Sequence, residues 1–330
     1  MKILLVKLSS LGDVVHTLPV VQDILTAMPD AKIDWAVEKS FAPVLAQVQG
    51  LHRTITCELR AWRKSPFAAA THAAWAKFKA DLQQDSYDAV IDLQGLTKSA
   101  LVARLARLAP QGKRYAMANR TDGSAYEAPT RWVADVAIAL QPHQHAVQRG
   151  RDLAAISLGY QAPAGVFYGL KVPVAQSIWA QAATKTIVFV HGTSRADKEW
   201  PLQNWLELGK RFNAAGYQVA MVHGSAKELA TSRAIAAQID AAVWPMLALD
   251  ALTRELGQCS GAIGVDSGVS HIAVALGLPH VQIYNFDTAW RTGPVLNGHQ
   301  VSVFAQPSPS VDAVWQAWQR CHCQNAGALH

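Results

Sequence analysis

The stretch Ile3-Leu4-Leu5-Val6-Lys7-Leu8-Ser9-Ser10-Leu11-Gly12-Asp13 decides how the rest of the chain is read. Residues 3–7 form an apolar run of strand length. From Val14 onward, Val14, Leu18, Val21 and Leu25 fall at helical spacing. A buried strand that turns directly into a helix opens a doubly wound parallel sheet, and such sheets bind ligands at the carboxyl ends of their strands. The turn at residues 7–13 is therefore expected to face a ligand. Gly12 lets the backbone come close, and Asp13 sits where a helix dipole favours an anion. A plainer reading makes Asp13 a helix-start carboxylate with Ser10 as its cap; spacing alone leaves both open. The three-glycine dinucleotide pattern is absent.

The same strand–helix alternation recurs outward from this unit. Strand candidates follow at residues 33–37 and 89–93, then at 186–190, 218–222, 262–265 and 281–284. Between Gln161 and Pro173 the alternation weakens and Pro163, Gly165, Gly169 and Pro173 cluster, which marks a linker. The expected architecture is α/β: two Rossmann-like domains, residues 1–165 and 166–330, with parallel sheets facing a central cleft. The last helix, about residues 311–320 with Trp315 and Trp318, is a candidate to pack back on the first domain.

Composition agrees with an enzyme-sized folded protein. Of 330 residues, 50% are hydrophobic and 16% charged, which excludes a disordered chain. The opening apolar run is too short for a signal peptide, and no stretch approaches the ~18 apolar residues of a spanning helix. Cys57, Cys259, Cys321 and Cys323 show no disulfide spacing, and Cys321-His322-Cys323 is half a metal site with no second half. A cytoplasmic, metal-free protein is the expectation. The formal charge is +6. Residues 1–165 hold 19 Lys and Arg against 14 Asp and Glu, whereas residues 166–330 hold 11 against 10. The N-terminal half is the side expected to meet an anion.

Three further segments carry chemistry. His191-Gly192-Thr193-Ser194-Arg195-Ala196-Asp197-Lys198-Glu199-Trp200-Pro201 follows a strand and offers hydroxyls, backbone N–H groups and the Lys198 charge, a set that suits a diphosphate. Its plainer reading is a polar loop leading into the helix that Pro201 begins. Gly264-Val265-Asp266-Ser267-Gly268-Val269-Ser270-His271 makes a tight loop before a helix from about Ser270, again a phosphate cradle. It has Asp266 where a nucleophile elbow requires serine, which weakens a hydrolase reading. The third segment is basic: Arg60, Arg63 and Lys64 around Trp62, then seven Lys and Arg between Lys98 and Arg131, Lys113, Arg114 and Arg120 among them. A solvated face, a nucleic-acid surface and an acceptor rich in phosphate or carboxylate all fit this run.

Taken together, the motifs resemble the ADP-heptose:lipopolysaccharide heptosyltransferases. The resemblance is carried by Lys7-x-Ser9-Ser10-Leu11-Gly12-Asp13-Val14-Val15-His16-Thr17-Leu18-Pro19, by Asp92-Leu93-Gln94-Gly95-Leu96-x-Lys98-Ser99, by residues 193–201 and by residues 265–271, in the family's order. Trp62-Arg63-Lys64 and the Asp92 segment point to the heptosyltransferase I branch. The resemblance implies a GT-B fold and an inverting, metal-independent transfer of L-glycero-D-manno-heptose from ADP-heptose to Kdo of Kdo-lipid A. It implies a cytoplasmic enzyme, peripheral on the inner membrane, with no nucleic-acid partner. It makes Asp13 the general base. Thr193, Ser194, Lys198, Glu228, Asp266, Ser267, Gly268 and His271 match donor-binding positions, while Ser10, Gly12, Arg60, Arg63, Lys64 and Arg120 match acceptor-binding ones. A paralogue that adds a later core heptose and a nucleotide-sugar epimerase on the same fold are the alternatives. One segment departs from the family: Tyr284 is followed by Asn285-Phe286-Asp287-Thr288-Ala289-Trp290-Arg291 where several relatives have Gly-Pro-Thr-Asp-Pro.

Overall fold

The computed structural model describes residues 1–172, 185–295 and 298–327, with side chains described as far as Cys321. Pro173 and the side chains of His322 and Cys323 lie outside these described residues. The chain divides into two compact units, Met1–Gly169 and Leu170–His330.

In the first unit, β1 (Lys2–Val6), β2 (Lys32–Glu38), β3 (Leu51–Cys57), β4 (Ser86–Asp92), β5 (Arg107–Met117) and β6 (Val136–Ile138) form one parallel sheet in the order β3-β2-β1-β4-β5-β6. In the second, β7 (Thr186–Val190), β8 (Gln218–Met221), β9 (Ala241–Val243), β10 (Gly261–Val265), β11 (His280–Tyr284) and β12 (Gln300–Phe304) run β12-β11-β10-β7-β8-β9. Both are the Rossmann order, in which the first strand of the unit lies beside the fourth. Helices cover both faces, so the central strands are largely apolar: Ile3, Leu4, Leu5 and Val6 have no exposed surface. Each such side chain contributes roughly 1.5–3 kcal/mol through burial.

All the central strands read from the sequence are present within a few residues of their expected ends. The strands not anticipated lie toward the sheet edges. β3 carries His52, Arg53, Thr54 and Thr56 among its apolar positions, β6 and β9 span three residues each, and β5 contains Pro110 and Gly112 beside a register shift opposite β4. Half-exposed, interrupted or very short strands lack the continuous apolar run that betrays a central one.

Residues as far as Gly169 belong to the first unit, a few residues beyond the expected boundary at 165. Arg151, from the helix Ala146–Leu158, donates to the carbonyls of Pro163 and Gly165 and, through two nitrogens, to Asp23 on the helix Leu11–Ala27. Burial pushes the Asp23 carboxyl up despite Arg151. Removing one partner of such a pair leaves a buried charge, at about 3–5 kcal/mol. The pair fixes the two helices that later supply Asp13 and Arg149.

The last helix, Val311–Gly327, carries side chains that pack within the second unit. Val311, Val314, Ala317, Trp318 and Cys321 join the second unit's own core with Phe212 and Val281. The Trp318 ring stands 5.5 Å from that of Phe212.

Candidate active site

Each Rossmann order places its ligand position where the first and fourth strands of the unit part. In the first unit that is the space after β1 and β4, where residues 7–13 and 93–99 emerge. The second segment builds the first. Gln94 Oε1 accepts from the amides of Leu8 and Ser9, each at 3.0 Å, and Leu93 O accepts from Lys7 Nζ at 2.9 Å. Lys98 Nζ donates to Ser9 Oγ at 2.6 Å. Asp92 is 1% exposed and holds the turn below through the amides of Gln94 and Gly95 and the hydroxyl of Ser99. Burial dominates those bonds and raises its pKa to about 6.

Asp13 lies in the first turn of its helix, and its Oδ2 accepts from Ser10 N at 3.0 Å and Ser10 Oγ at 2.8 Å. Ser10 therefore serves the carboxylate as well as the helix end. Lys7 Nζ stands 3.9 Å from Oδ1. Burial alone would raise the Asp13 pKa, but Lys7, the Ser10 bonds and Arg149 outweigh it and hold the carboxyl below its ordinary range. The side chain keeps 39% exposure. An ionised carboxylate with one oxygen fixed and the other reachable has the form a general base requires. Lys7, 4% exposed, has its own pKa lowered by burial. Lys7, His16, Met117 and Arg149 line a small pocket with Asp13.

Arg149 was not singled out from sequence. It sits on the helix Ala146–Leu158 with no motif around it, 8% exposed, and its guanidinium donates to Thr121 Oγ1 at 3.2 Å. The other cations of this half divide. Arg60, Arg63 and Lys64 lie exposed on the short helix Leu59–Lys64, and Arg120 is exposed beside Thr121. Gly12 is half-buried at the turn. Arg114 instead donates to the carbonyls of Ala103 and Ala106, so part of the basic run closes a helix end. The structure thus joins Ser10 to Asp13 and leaves Arg63, Lys64 and Arg120 at the surface.

In the second unit the ligand position lies after β7 and β10, where the other two segments emerge. Asp266 is their junction. Lys198 Nζ donates to its Oδ2, His271 Nε2 lies 3.3 Å from its Oδ1, and its carbonyl accepts from Thr193 Oγ1 at 3.2 Å. Burial opposes ionisation, but His271 and Lys198 overcome it and hold Asp266 well below the carboxylate range. Ser267 caps the helix Gly268–Ala275, accepting from Ser270 N, and Ser270 Oγ donates to Val265 O at 2.6 Å. The amides of Gly268 and Val269 at the start of that helix are of the kind that can bind an anion.

Beside this junction is a pocket of about 640 Å³, lined by Gly192, Thr193, Ser194, Trp205, Glu228 and Thr231 among others. Its size falls in the usual range for ligand sites of ~300–1,000 Å³. Glu228 Oε2 accepts from Gly224 N at 2.7 Å, and its backbone N–H donates to the cap Ser225. A Cβ on Gly192 would stand 2.6 Å from Glu228 Cδ, so only glycine lets that carboxylate lie against the loop. His191 bonds Ser232 Oγ at 2.8 Å, and burial lowers its pKa. The divergent segment braces the same loop: Asn285 Nδ2 donates to the carbonyls of Asp197 and Glu199, and the Arg195 guanidinium stands 5.9 Å from the Phe286 ring. Among the described residues no group of three His, Cys, Asp or Glu is arranged to hold a metal.

Two Rossmann-like units, one offering an ionised carboxylate and the other a phosphate-type loop set beside a nucleotide-sized pocket, are the parts of a GT-B glycosyltransferase. The sequence profile of glycosyltransferase family 9 (heptosyltransferase) matches residues 75–316. Lipopolysaccharide heptosyltransferase 1 of Pseudomonas aeruginosa is 37% identical over 301 residues, covering 89% of this chain and 81% of that protein. The E. coli heptosyltransferase WaaC solved with ADP superposes with a TM-score of 0.84 at 32% identity, over 96% of this chain and 98% of that one. The same enzyme solved with ADP-2-deoxy-2-fluoro heptose gives 0.81 over the same shares, also at 32% identity. This chain belongs to glycosyltransferase family 9, the heptosyltransferases, and is a glycosyltransferase.

Proposed function

We propose that this enzyme transfers L-glycero-D-manno-heptose from ADP-heptose to a Kdo hydroxyl of Kdo-lipid A, in lipopolysaccharide inner-core synthesis, with inversion and with Asp13 as general base. The observation that carries the reading is the likeness, over nearly the whole chain, to an E. coli heptosyltransferase solved with an ADP-heptose analogue. The pocket beside Gly192 and Glu228 supports it, having room for a nucleoside diphosphate.

In this mechanism Oδ1 of Asp13 takes the acceptor proton as the acceptor oxygen attacks the anomeric carbon and the bond to ADP breaks. Oδ2 stays fixed by Ser10, so the base is aimed before substrate arrives. The departing diphosphate carries its charge away unprotonated, and that charge is met by Lys198, by Thr193 and Ser194, and by the amides of Gly268 and Val269. No metal is assigned a part. Glu228 holds the ribose, and Asp266, Ser267 and His271 serve the sugar end of the donor. The exposed cations Arg60, Arg63, Lys64 and Arg120, with Ser10 and Gly12, receive the carboxylate and phosphate groups of the acceptor. No helix of the described residues is long and apolar enough to cross a membrane. We place the enzyme on the cytoplasmic face of the inner membrane, in peripheral contact with it, with ADP-heptose and Kdo-lipid A as partners and no nucleic acid.

The test is ADP release from ADP-heptose with and without Kdo-lipid A. Acceptor-dependent release is expected. Release that requires an already heptosylated core would assign the enzyme to a later heptose, and a changed sugar formed without acceptor would make it an epimerase.

A further inference from the structure

Glu38 ends β2 beside the Asp13 turn, its backbone N–H donating to Leu8 O at 3.1 Å. Nothing in the sequence marks it, yet it is 5% exposed, and its Oε1 is buried with no hydrogen-bond partner. The backbone N–H of Arg60 lies against its carboxyl, in the first turn of the short helix that also carries Arg63 and Lys64. Two cations face it, Lys98 from the helix Thr97–Leu105 and the Arg60 guanidinium, against the more weakly felt Glu58 carboxylate. Those two cations repel each other. Lys98 Nζ donates to Ser9 Oγ, and its interaction with Glu38 is one of charge.

A buried carboxylate with one oxygen unbonded is a poor stabiliser; a neutral or apolar side chain of similar size would cost less there. Its charge nevertheless does one thing no neutral residue can. It lets Lys98 and Arg60 sit close together, one bonded to the turn that holds Asp13 and the other on the basic helix.

We propose that Glu38 is a positioning residue for the acceptor. By neutralising the repulsion between Lys98 and Arg60, it sets the basic helix Leu59–Lys64 against the Ser9–Ser10 turn, so that an anionic acceptor is received in register with Asp13. The inference rests on the acceptor reading given above and adds the residue that holds the acceptor's cations in place.

Steady-state kinetics of Glu38→Gln with ADP-heptose and Kdo-lipid A tests it. The acceptor KM is expected to rise about tenfold, equivalent to ~1.4 kcal/mol, while donor KM and kcat stay within about twofold; Glu38→Asp, which keeps the charge, should recover most of the loss. Lys98→Met removes the other side of the balance. Because it also removes the repulsion that Glu38 offsets, Glu38→Gln in the Lys98→Met background should raise acceptor KM far less than Glu38→Gln does in the wild type. An acceptor KM unchanged in folded Glu38→Gln overturns the proposal. So does a parallel change in both KM values and kcat with a lowered Tm, which would mark a structural role. Should Glu38→Gln not fold alone, Lys98→Met should restore its folding by removing the repulsion and leave acceptor KM near that of Lys98→Met; failure to restore folding, or an acceptor KM about tenfold higher in the double variant than in Lys98→Met, overturns the proposal. If the wild type shows no Kdo-lipid A-dependent ADP release, the failure belongs to the acceptor reading and not to Glu38.

Discussion

Lys198 Nζ donates to Asp266 Oδ2 across 68 positions of sequence, joining the loop after β7 to the loop after β10. Asp266 is also held by His271, so the lysine charge is fixed at the junction of the two loops, where we propose the diphosphate lies. Lys198→Met should lower kcat/KM for ADP-heptose by ~10²–10³-fold, the usual loss for a preorganised charge stabiliser. Asp266→Asn should lower it as well, and the double variant should fall short of the product of the two. Fully multiplicative effects in ADP-release kinetics would show that the pair does not act as a unit.

Asp13→Asn preserves the shape of the Ser10 contact and removes the proposed base. A kcat loss of ~10²–10⁴-fold is expected, with little change in either KM. The wild-type pH profile offers a second check. The Asp13 pKa lies below its ordinary 3.8, so activity due to this group is lost only as pH falls through that lowered value. An acid limb near neutrality that disappears in Asp13→Asn would contradict the charge balance set by Lys7 and Arg149.

Gly192→Ala is a probe of the nucleotide pocket with little structural effect. The new Cβ would meet the far end of the Glu228 side chain at 2.6 Å, and that flexible end can swing away. The KM for ADP-heptose should rise roughly tenfold, with Tm nearly unchanged. A normal donor KM would remove Glu228 from nucleotide binding.

Asp92 gives the fold a measurable pH dependence. Its folded pKa of about 6 stands above the ordinary 3.8 because of burial. Its contribution to stability is therefore complete below about pH 4 and lost as pH rises through about 6. Urea unfolding should show wild-type stability falling by about 2–3 kcal/mol from this group across that window. Asp92→Asn should lack that fall; an identical slope in both proteins would refute the assignment.

The reading of residues 3–13 gave the correct fold because it rests on local physics. A continuous apolar run buried on both faces, a glycine turn and a helix start are legible within a dozen residues, and each recurs through the chain. The same holds for residues 191–201 and 264–271, whose hydroxyls and glycines lie where strands end. Arg149 and Glu38 were invisible by the same logic. Neither sits in a motif; Arg149 is one polar residue of an amphipathic helix, and Glu38 is a charged residue at a strand end, where charges are ordinary.

The sequence by itself determined two Rossmann-like units, their central strands, and which turns follow those strands, because these follow from apolar periodicity and backbone freedom over short spans. Only the tertiary structure decided what makes each turn work. Gln94 bonds the Leu8 and Ser9 amides from 85 or more positions away, Lys7 and Arg149 keep Asp13 ionised, and Asp266 gathers Lys198, Thr193 and His271. It also gave the last helix to the second unit's core, where Trp318 finds Phe212. These are contacts between residues far apart in the chain, and their energies depend on distance and burial, which sequence spacing does not encode.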